Sequence, residues 1–386
     1  QLWLPMAIII YLKETGDFEF LKREVSYHND AKGTILKHLY DALDFALENL
    51  TENGLAKFGP GDWNDTLDYL GREGKGESVW VTMFLAYNLK ETVRLCRYIG
   101  EDKIADRYEK KYEQLKKDLN KKCWDGEWYI RGTNDIGEVI GSSDNQEGKI
   151  FLNTQSWAII SGIADSGRAG KCLDSVKKHL DTPKGPKILH PPYTEIDDNI
   201  GLATRCVPGK KENGAVFNHP VSWAILAETI RGNGDRAFDI YQKALPMNPE
   251  IDIENYEVEP YVYAEYVTSP DHPTYGQASH SWLTGSSTWM LRDGLDSILG
   301  FKPDYQWVEI SPCIPAEWDS YQIKRNFRNI TFNIEIKNPD NLNTGVKEMK
   351  INNKIIQGNY IDLESSEIKK LIADNDKLDI EITLEK

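Results

Sequence analysis

Residues 79–120 read VWVTMFLAYNLKETVRLCRYIGEDKIADRYEKKYEQLKKDLN, and the fold turns on how this stretch is divided. Two runs, 79–99 and 102–120, carry apolar residues on one helical stripe, and between them stand Gly100, Glu101 and Asp102. Glycine suits the left-handed position that ends a helix, and an acidic residue suits the start of the next, so the stretch predicts two helices folded back on each other.

The same grammar extends outward. ILKHLYDALDFALENL (35–50) has apolar residues at 35, 36, 39, 40, 43, 46, 47 and 50, and similar stripes cover 153–164, 169–180, 221–232, 236–245 and 284–299. The joints YLKETGDFEFLKREV and TIRGNGDRAFDIYQKA repeat the glycine-then-acid pattern, which predicts a further helix after Gly16 and another after Gly234. Short connections alternate with long ones at 51–75, 181–218 and 246–281. A series of hairpins joined this way predicts an α/α toroid with its long loops gathered at one end, where a site can form.

After Lys302 the pattern changes to short, β-branched, alternating runs: YQWVEISPCIP, YQIKRNFRNITFNIEIKNP, VKEMKINNKII and KLDIEITLEK. These read as antiparallel strands of a small sandwich, with the boundary near 300–306 and expected domains of 1–302 and 303–386. The chain is 40% hydrophobic and 11% aromatic over 386 residues, enough for a large core. A net charge of −15 and the lack of any Lys/Arg block argue against nucleic acid as a partner. Five widely spaced cysteines without a CxxC pair argue against a disulfide framework or a zinc site, and fit a reducing cytoplasm. The apolar opening LWLPMAIIIYL is too short to span a bilayer and reads as a buried helix, so no membrane partner is expected. The chain opens at Gln1 rather than Met, and upstream residues are therefore expected.

Three loops concentrate polar chemistry. In GPGDWNDTLDYLGREGKGESVW (59–80), glycines and Pro60 bend the chain, and Trp63, Asn64 and Asp65 offer an aromatic face, an amide and a carboxylate in three residues. A sugar needs that combination, because it presents C–H faces ringed by hydroxyls; an Asx-turn capping the next helix needs only the Asp and Asn. RCVPGKKENGAVFNHPVSW (205–223) is a basic, amide-rich loop leading into a helix, which suits an anion, although His219 by itself also fits a structural role. YGQASHSWLTGSSTWM (275–290) places Thr284 and Gly285 before a helix, either as a close-approach anion turn or as a plain N-cap.

Taken together and in order, GDWND, GKGESVW, PGKKENGAVFNH, EPYVY and SWLTGSSTWM resemble the inverting glycoside phosphorylases of glycoside hydrolase family 94, over about 2–339. The resemblance implies an (α/α)6 catalytic barrel, partial at its N-terminal side, followed by a C-terminal β jelly-roll. It implies Asp65 as general acid, with Trp63 and Asn64 walling the donor-sugar subsite. Lys211 and Glu212 then match sugar-binding positions, His219, Thr284 and Gly285 match phosphate-binding ones, and Gln277 lies near them. The family usually has glycine where Thr66 stands. Its members also carry an N-terminal β-sandwich, linker helices and early barrel helices ahead of the position of Gln1, with an arginine and an aspartate of the donor subsite, and that missing region would form a homodimer.

The implied reaction is phosphorolysis of a β-linked oligosaccharide to an α-sugar 1-phosphate and a sugar one unit shorter, with phosphate as substrate and no metal or other cofactor. Asp65 must hold a proton when substrate binds, and burial beside carboxylates such as Asp62 is expected to raise its pKa. Two other readings stay open: an (α/α)6 glycoside hydrolase with Glu212 or Glu77 as base, and a non-catalytic carbohydrate-binding fragment. The sequence leaves the sugar and linkage open, and Cys206 fits either an acceptor-facing or a buried structural position.

Overall fold

A computed structural model of the chain describes residues 1–248, 252–373 and 376–385. Its helices are α1 (Trp3–Thr15), α2 (Ile35–Glu48), α3 (Val79–Ile99), α4 (Asp102–Lys122), α5 (Leu152–Ile160), α6 (Ser166–His179), α7 (Asn218–Ile230) and α8 (Gly234–Ala244), with the shorter α9 (Ile253–Tyr256), α10 (Ser286–Arg292) and α11 (Ser366–Ala373). Among the described residues no helix is long and apolar enough to cross a membrane.

The 79–120 stretch divides as its sequence indicates. Ser78 caps α3 by accepting from the Val81 N–H, and Gly100, left-handed at φ 81°, closes the helix through its own N–H to Arg97 and Cys96. Glu101 does not cap α4 with its side chain; its backbone carbonyl takes the Ile104 and Ala105 N–H groups instead. Burial separates two helix types. Every residue of α5 is inside and α3 buries 13 of its 21, whereas α4 buries only the stripe of Ala105, Tyr108, Leu115 and Leu119, and α6 likewise buries one face. An all-round buried helix must be covered by others, and α5 is packed between α3 and α6, with α4 on α3. Aromatic rings fill the space between the buried helices. Trp157 of α5 meets Phe84 and Trp80 of α3 at 4.9 and 5.9 Å, and Trp223 of α7 meets Trp80 and Trp157 at 5.7 and 5.5 Å.

The segment after Gly16 departs from its expectation. It forms only the 3-10 turn Phe18–Lys22, capped by Asp17, because Arg23 is already extended and leads into the hairpin of Glu24–Ser26 with Lys32–Thr34. The expected helix over 284–299 is α10 followed by a π-helical turn, Asp293–Ile298. The long loops hold very short strand pairings: Glu77–Ser78 with Gly132–Thr133 and then Val139–Ile140, Ile150–Phe151 with Leu189–His190, and Val216–Phe217 with Ala264–Val267 and then Ala278–Ser281.

Beyond Lys302 the strands are present but not all antiparallel. One sheet joins Phe301–Pro303, Trp307–Ile310 and Tyr360–Asp362. The other runs Ser320–Phe327, Ile330–Lys337, Lys377–Thr383, Glu348–Ile351, Lys354–Gln357, and its second and third strands are parallel. A parallel pair needs a long connection, here the stretch that carries two other strands of this sheet and α11. Phe301 of the first sheet packs edge-on against Phe327 and Phe332 of the second at 5.5 and 5.1 Å.

Two compact units result, each built from discontinuous segments. One comprises 1–2, 41–227 and 240–290 and contains every loop with candidate chemistry; the other comprises 3–40, 228–239 and 291–386.

Candidate active site

The 59–80 loop is anchored from below before it presents anything to solvent. Gly61 takes φ 133°, a conformation that a side chain would strain, and Gly76 lies so close to the chain that a Cβ there would come within 2.0 Å of the Leu70 carbonyl oxygen. Asp62 turns inward. Its carboxylate meets the Arg131 guanidinium at 2.6 Å with both side chains fully buried, and it also accepts from the Ser78 hydroxyl at 2.6 Å. The Asn64 N–H donates to the Asp62 Oδ1 at 2.8 Å, so the Asx-turn anticipated from DWND exists and Asp62 makes it. The Asn64 amide oxygen accepts from Arg131 and from Asn153, each at 2.9 Å.

Asp65 itself is exposed. The burial beside a free carboxylate expected of it is therefore not found, and the Asp62 carboxylate is paired with Arg131. Trp63 is half-buried, edge-on to Trp223, His219 and Phe217 at 5.1, 5.3 and 5.4 Å. It packs on the apolar cluster of Leu67, Phe151, Tyr193, Phe217 and Tyr266.

The 205–223 loop supplies the shifted carboxyl. Glu212, buried at 6% exposure, accepts from the Thr66 N–H at 3.2 Å, from the Thr66 hydroxyl and from the Asn64 side chain. Burial raises its pKa to about 7; those hydrogen bonds oppose the shift and the Asp62 charge adds to it. Lys211, left-handed at φ 52°, turns to Glu265 at 2.8 Å and lies over the Tyr266 ring. Its charge is thus already paired. Asn213 closes the loop on itself, donating to the Tyr193 and Cys206 carbonyls, and Cys206 is half-buried. All five cysteines are free thiols.

His219 is the second residue of α7, and burial pushes its pKa down to about 4, leaving a neutral ring near pH 7. Gly285 lies against it: a Cβ built there would stand 3.0 Å from His219 Cε1. The Thr284 hydroxyl accepts from the Ser286 N–H at 3.1 Å, a side-chain turn that leads into α10. Gln277 donates to Glu257 at 2.6 Å and accepts from the Thr274 hydroxyl at 2.8 Å.

Contacts therefore join the three loops through Trp63 with His219, His219 with Gly285, and Asn64 and Thr66 with Glu212. The hydrogen bonds of Lys211 and Gln277 run instead to Glu265 and Glu257. Reading the sequence missed Arg131 and Asn153, which fasten the 59–80 loop from elements far away in the chain, and Ser78, which holds Asp62 from the end of the same stretch. Nothing in YIRGTND marks Arg131, since a single arginine between short apolar runs has no periodicity to betray a buried partner.

Relatives of this chain are sugar-active enzymes by name. It is 39% identical over 357 residues to solabiose phosphorylase of Paenibacillus borealis, an alignment that covers 92% of this chain and 46% of that one. Identity is 35% to N,N'-diacetylchitobiose phosphorylase of Vibrio proteolyticus, over 93% of this chain and 44% of the relative. Cellobionic acid phosphorylase of Neurospora crassa is 33% identical, over 91% and 44%. The chain spans about half the length of the curated relatives it matches. Among solved structures, a sialidase superposes with TM-score 0.60 at 16% identity, over 84% of this chain and 28% of that one. A GH78 family rhamnosidase of Bacillus sp. GL1 gives 0.57 at 16% identity, over 86% and 31%; both likenesses concern fold alone. With residues 1–300 matching its catalytic domain, the chain belongs to the glycosyl hydrolase 94 superfamily.

Proposed function

We propose that this chain is the catalytic part of an inverting glycoside phosphorylase, which cleaves a β-linked disaccharide or oligosaccharide with inorganic phosphate to give an α-sugar 1-phosphate and a shortened sugar. One observation carries the reading: Trp63, two residues from Asp65, lies edge-on to His219, and the Gly285 backbone lies against the same imidazole. An acid, a ring-stacking wall and an anion turn then share one site. The phosphorylase names of the relatives support the same class.

In this reading Asp65 gives its proton to the glycosidic oxygen as phosphate attacks the anomeric carbon from the opposite face, and the carboxylate is reprotonated from solvent before the next turnover. Phosphate is already an anion and a competent nucleophile, so neither a base nor a metal is required. The neutral His219 ring donates one N–H, and the Thr284–Gly285 turn brings a hydroxyl and backbone to the same place. Sugar seated over the exposed Asp65 shields the proton transfer from water. Glu212, Lys211 and Gln277 complete the sugar subsites. The architecture we assign is a partial (α/α)6 barrel over 1–302 followed by a jelly-roll over 303–386, in a cytoplasmic, homodimeric protein.

A hydrolase is the second reading, because Glu212 titrates near neutrality while bonded to both neighbours of Asp65. Glu77 is the weaker candidate for its base. Ser78 faces Asp62, so strand alternation turns Glu77 to the other side, where it accepts from Thr51 at 2.5 Å and lines a separate cavity with Cys123.

The test is cleavage of a panel of β-linked disaccharides, including those that name the relatives, with and without phosphate, in the longest chain that carries this sequence. Sugar 1-phosphate should form only with phosphate, and Asp65→Asn should lower kcat by about 10²–10⁴. Free sugar released equally fast without phosphate would assign the site to hydrolysis.

A further inference from the structure

Asn64, Asp65 and Thr66 are consecutive, and the outer two grip one buried carboxylate. The Thr66 N–H and hydroxyl both donate to Glu212 Oε2, and the Asn64 side chain adds a third bond to the same carboxyl group. The turn is also held from outside this grip. The Asn64 amide oxygen is fixed by Arg131 and Asn153, and the Thr66 carbonyl accepts from the Ala203 N–H at 2.9 Å. Asp65 thus sits between two residues that are each hydrogen-bonded on more than one side.

We propose that Thr66 is a positioning residue for Asp65: its hydroxyl, bonded to Glu212, ties the acid loop to the loop that bears Lys211 and Glu212 and so aims the proton donor at the leaving oxygen. The proposal rests on the assignment of Asp65 as general acid. Without its hydroxyl Thr66 would keep a single bond to Glu212, the backbone amide at 3.2 Å, and the side of the turn that follows Asp65 would be less firmly held to that loop. The hydroxyl supplies a second point of attachment, on a β-branched side chain whose χ1 is already restricted. Displacing a reacting group by about 1 Å can cost on the order of 10² in rate, so one lost tether is enough to register in turnover. Ser78 and Arg131 hold the loop through Asp62 and Asn64; Thr66 is the tether on the far side of Asp65.

Thr66→Val keeps the shape and the amide while deleting the hydroxyl, and Thr66→Ser keeps the hydroxyl. With a disaccharide and phosphate, Thr66→Val should lower kcat by about 10- to 100-fold with KM for phosphate changed little, whereas Thr66→Ser should stay within a few-fold of the parent. The decisive readout is the leaving group. A 4-nitrophenyl β-glycoside transfers its sugar to phosphate and releases a stable 4-nitrophenolate that needs little help from an acid, so Thr66→Val and Asp65→Asn should both turn it over far better, relative to the parent, than they do the disaccharide. A general loosening of the fold would depress both substrates alike. Thr66→Ala serves as a second hydroxyl deletion if the valine variant does not fold. Equal losses on both substrates, a serine variant as impaired as the valine one, or a valine variant with parental kcat would each overturn the role of Thr66. Phosphate-independent hydrolysis by the parent would instead overturn the phosphorylase reading, so the two failures are separable.

Discussion

Two buried titratable residues at the site are shifted in opposite directions, and the signs predict how stability responds to pH. Glu212 is raised from 4.5 to about 7, so between those values the folded chain holds a proton that the unfolded chain has released, and stability falls as pH rises. His219 is lowered from 6.5 to about 4, so across that range the unfolded chain binds the extra proton, and stability falls as pH drops. From pH 4.5 to 6.5 the two effects oppose each other, and single substitutions should unmask them. Glu212→Gln should gain stability relative to the parent as pH rises from 4.5 to 7, and His219→Phe should gain as pH falls from 6.5 to 4, each by about 3 kcal/mol. Urea unfolding across that pH range measures both; a difference from the parent that stays constant with pH would reject the corresponding shift. These residues were visible in the sequence because DWND, KKENG and FNH are dense in groups that a sugar or an anion uses. Their protonation was not, since burial of Glu212 is made by a chain crossing 146 residues away in sequence, at Thr66.

Secondary structure was legible wherever an element was long enough to show its period. The limits of α3 match the helix read from sequence and those of α4 nearly so, because a stripe repeated over 21 residues and a left-handed glycine leave little room for another division. Strands of two residues, such as Glu77–Ser78 with Gly132–Thr133, have no alternation to read, yet they align Ser78 and Arg131 beneath the acid loop. The parallel pairing of Ile330–Lys337 with Lys377–Thr383 was hidden for a different reason: alternation specifies which face is buried and says nothing about strand direction. Arg131 joins the second of those short strands to the loop through an ion pair shielded from water. Leaving either charge buried without its partner is costly, so Arg131→Met alone should destabilise the fold by about 3–5 kcal/mol, and Asp62→Asn should cost comparably. The double variant removes both charges and should cost clearly less than the two losses added. A double-mutant cycle by urea unfolding gives the coupling, and simple additivity would mean that the pair does not hold the loop to the strand.

At the scale of the whole chain, the unit that contains the C-terminal strands also contains residues 3–40, so its stability depends on contacts between the two ends of the sequence. Arg328 makes the most concentrated of these. Its guanidinium donates to the Lys13 and Leu12 carbonyls at 2.6 and 3.3 Å, in the last turn of α1, and to the Asp304 and Tyr305 carbonyls at 2.9 and 2.8 Å. The end of a helix leaves carbonyls without intrahelical partners and carries partial negative charge, both of which a guanidinium answers. Yet Arg328 and Asn329, at φ 47° and 64°, form the two-residue turn between Ser320–Phe327 and Ile330–Lys337, where glycine would fit with less strain. Arg328→Gly therefore sets two effects against each other. Relief of left-handed strain is worth about 1–3 kcal/mol, whereas each hydrogen bond from a charged donor is worth about 1.5–3 kcal/mol, and five carbonyls, that of Glu14 included, lose theirs. The hydrogen bonds should win, so Arg328→Gly should be less stable than the parent, and Arg328→Ala, which loses the same bonds and keeps the strain, should be less stable again. Urea unfolding of the three proteins orders them, and amide exchange in α1 should accelerate in both variants. A glycine variant as stable as the parent, with α1 equally protected, would show that the turn rather than the guanidinium governs this junction.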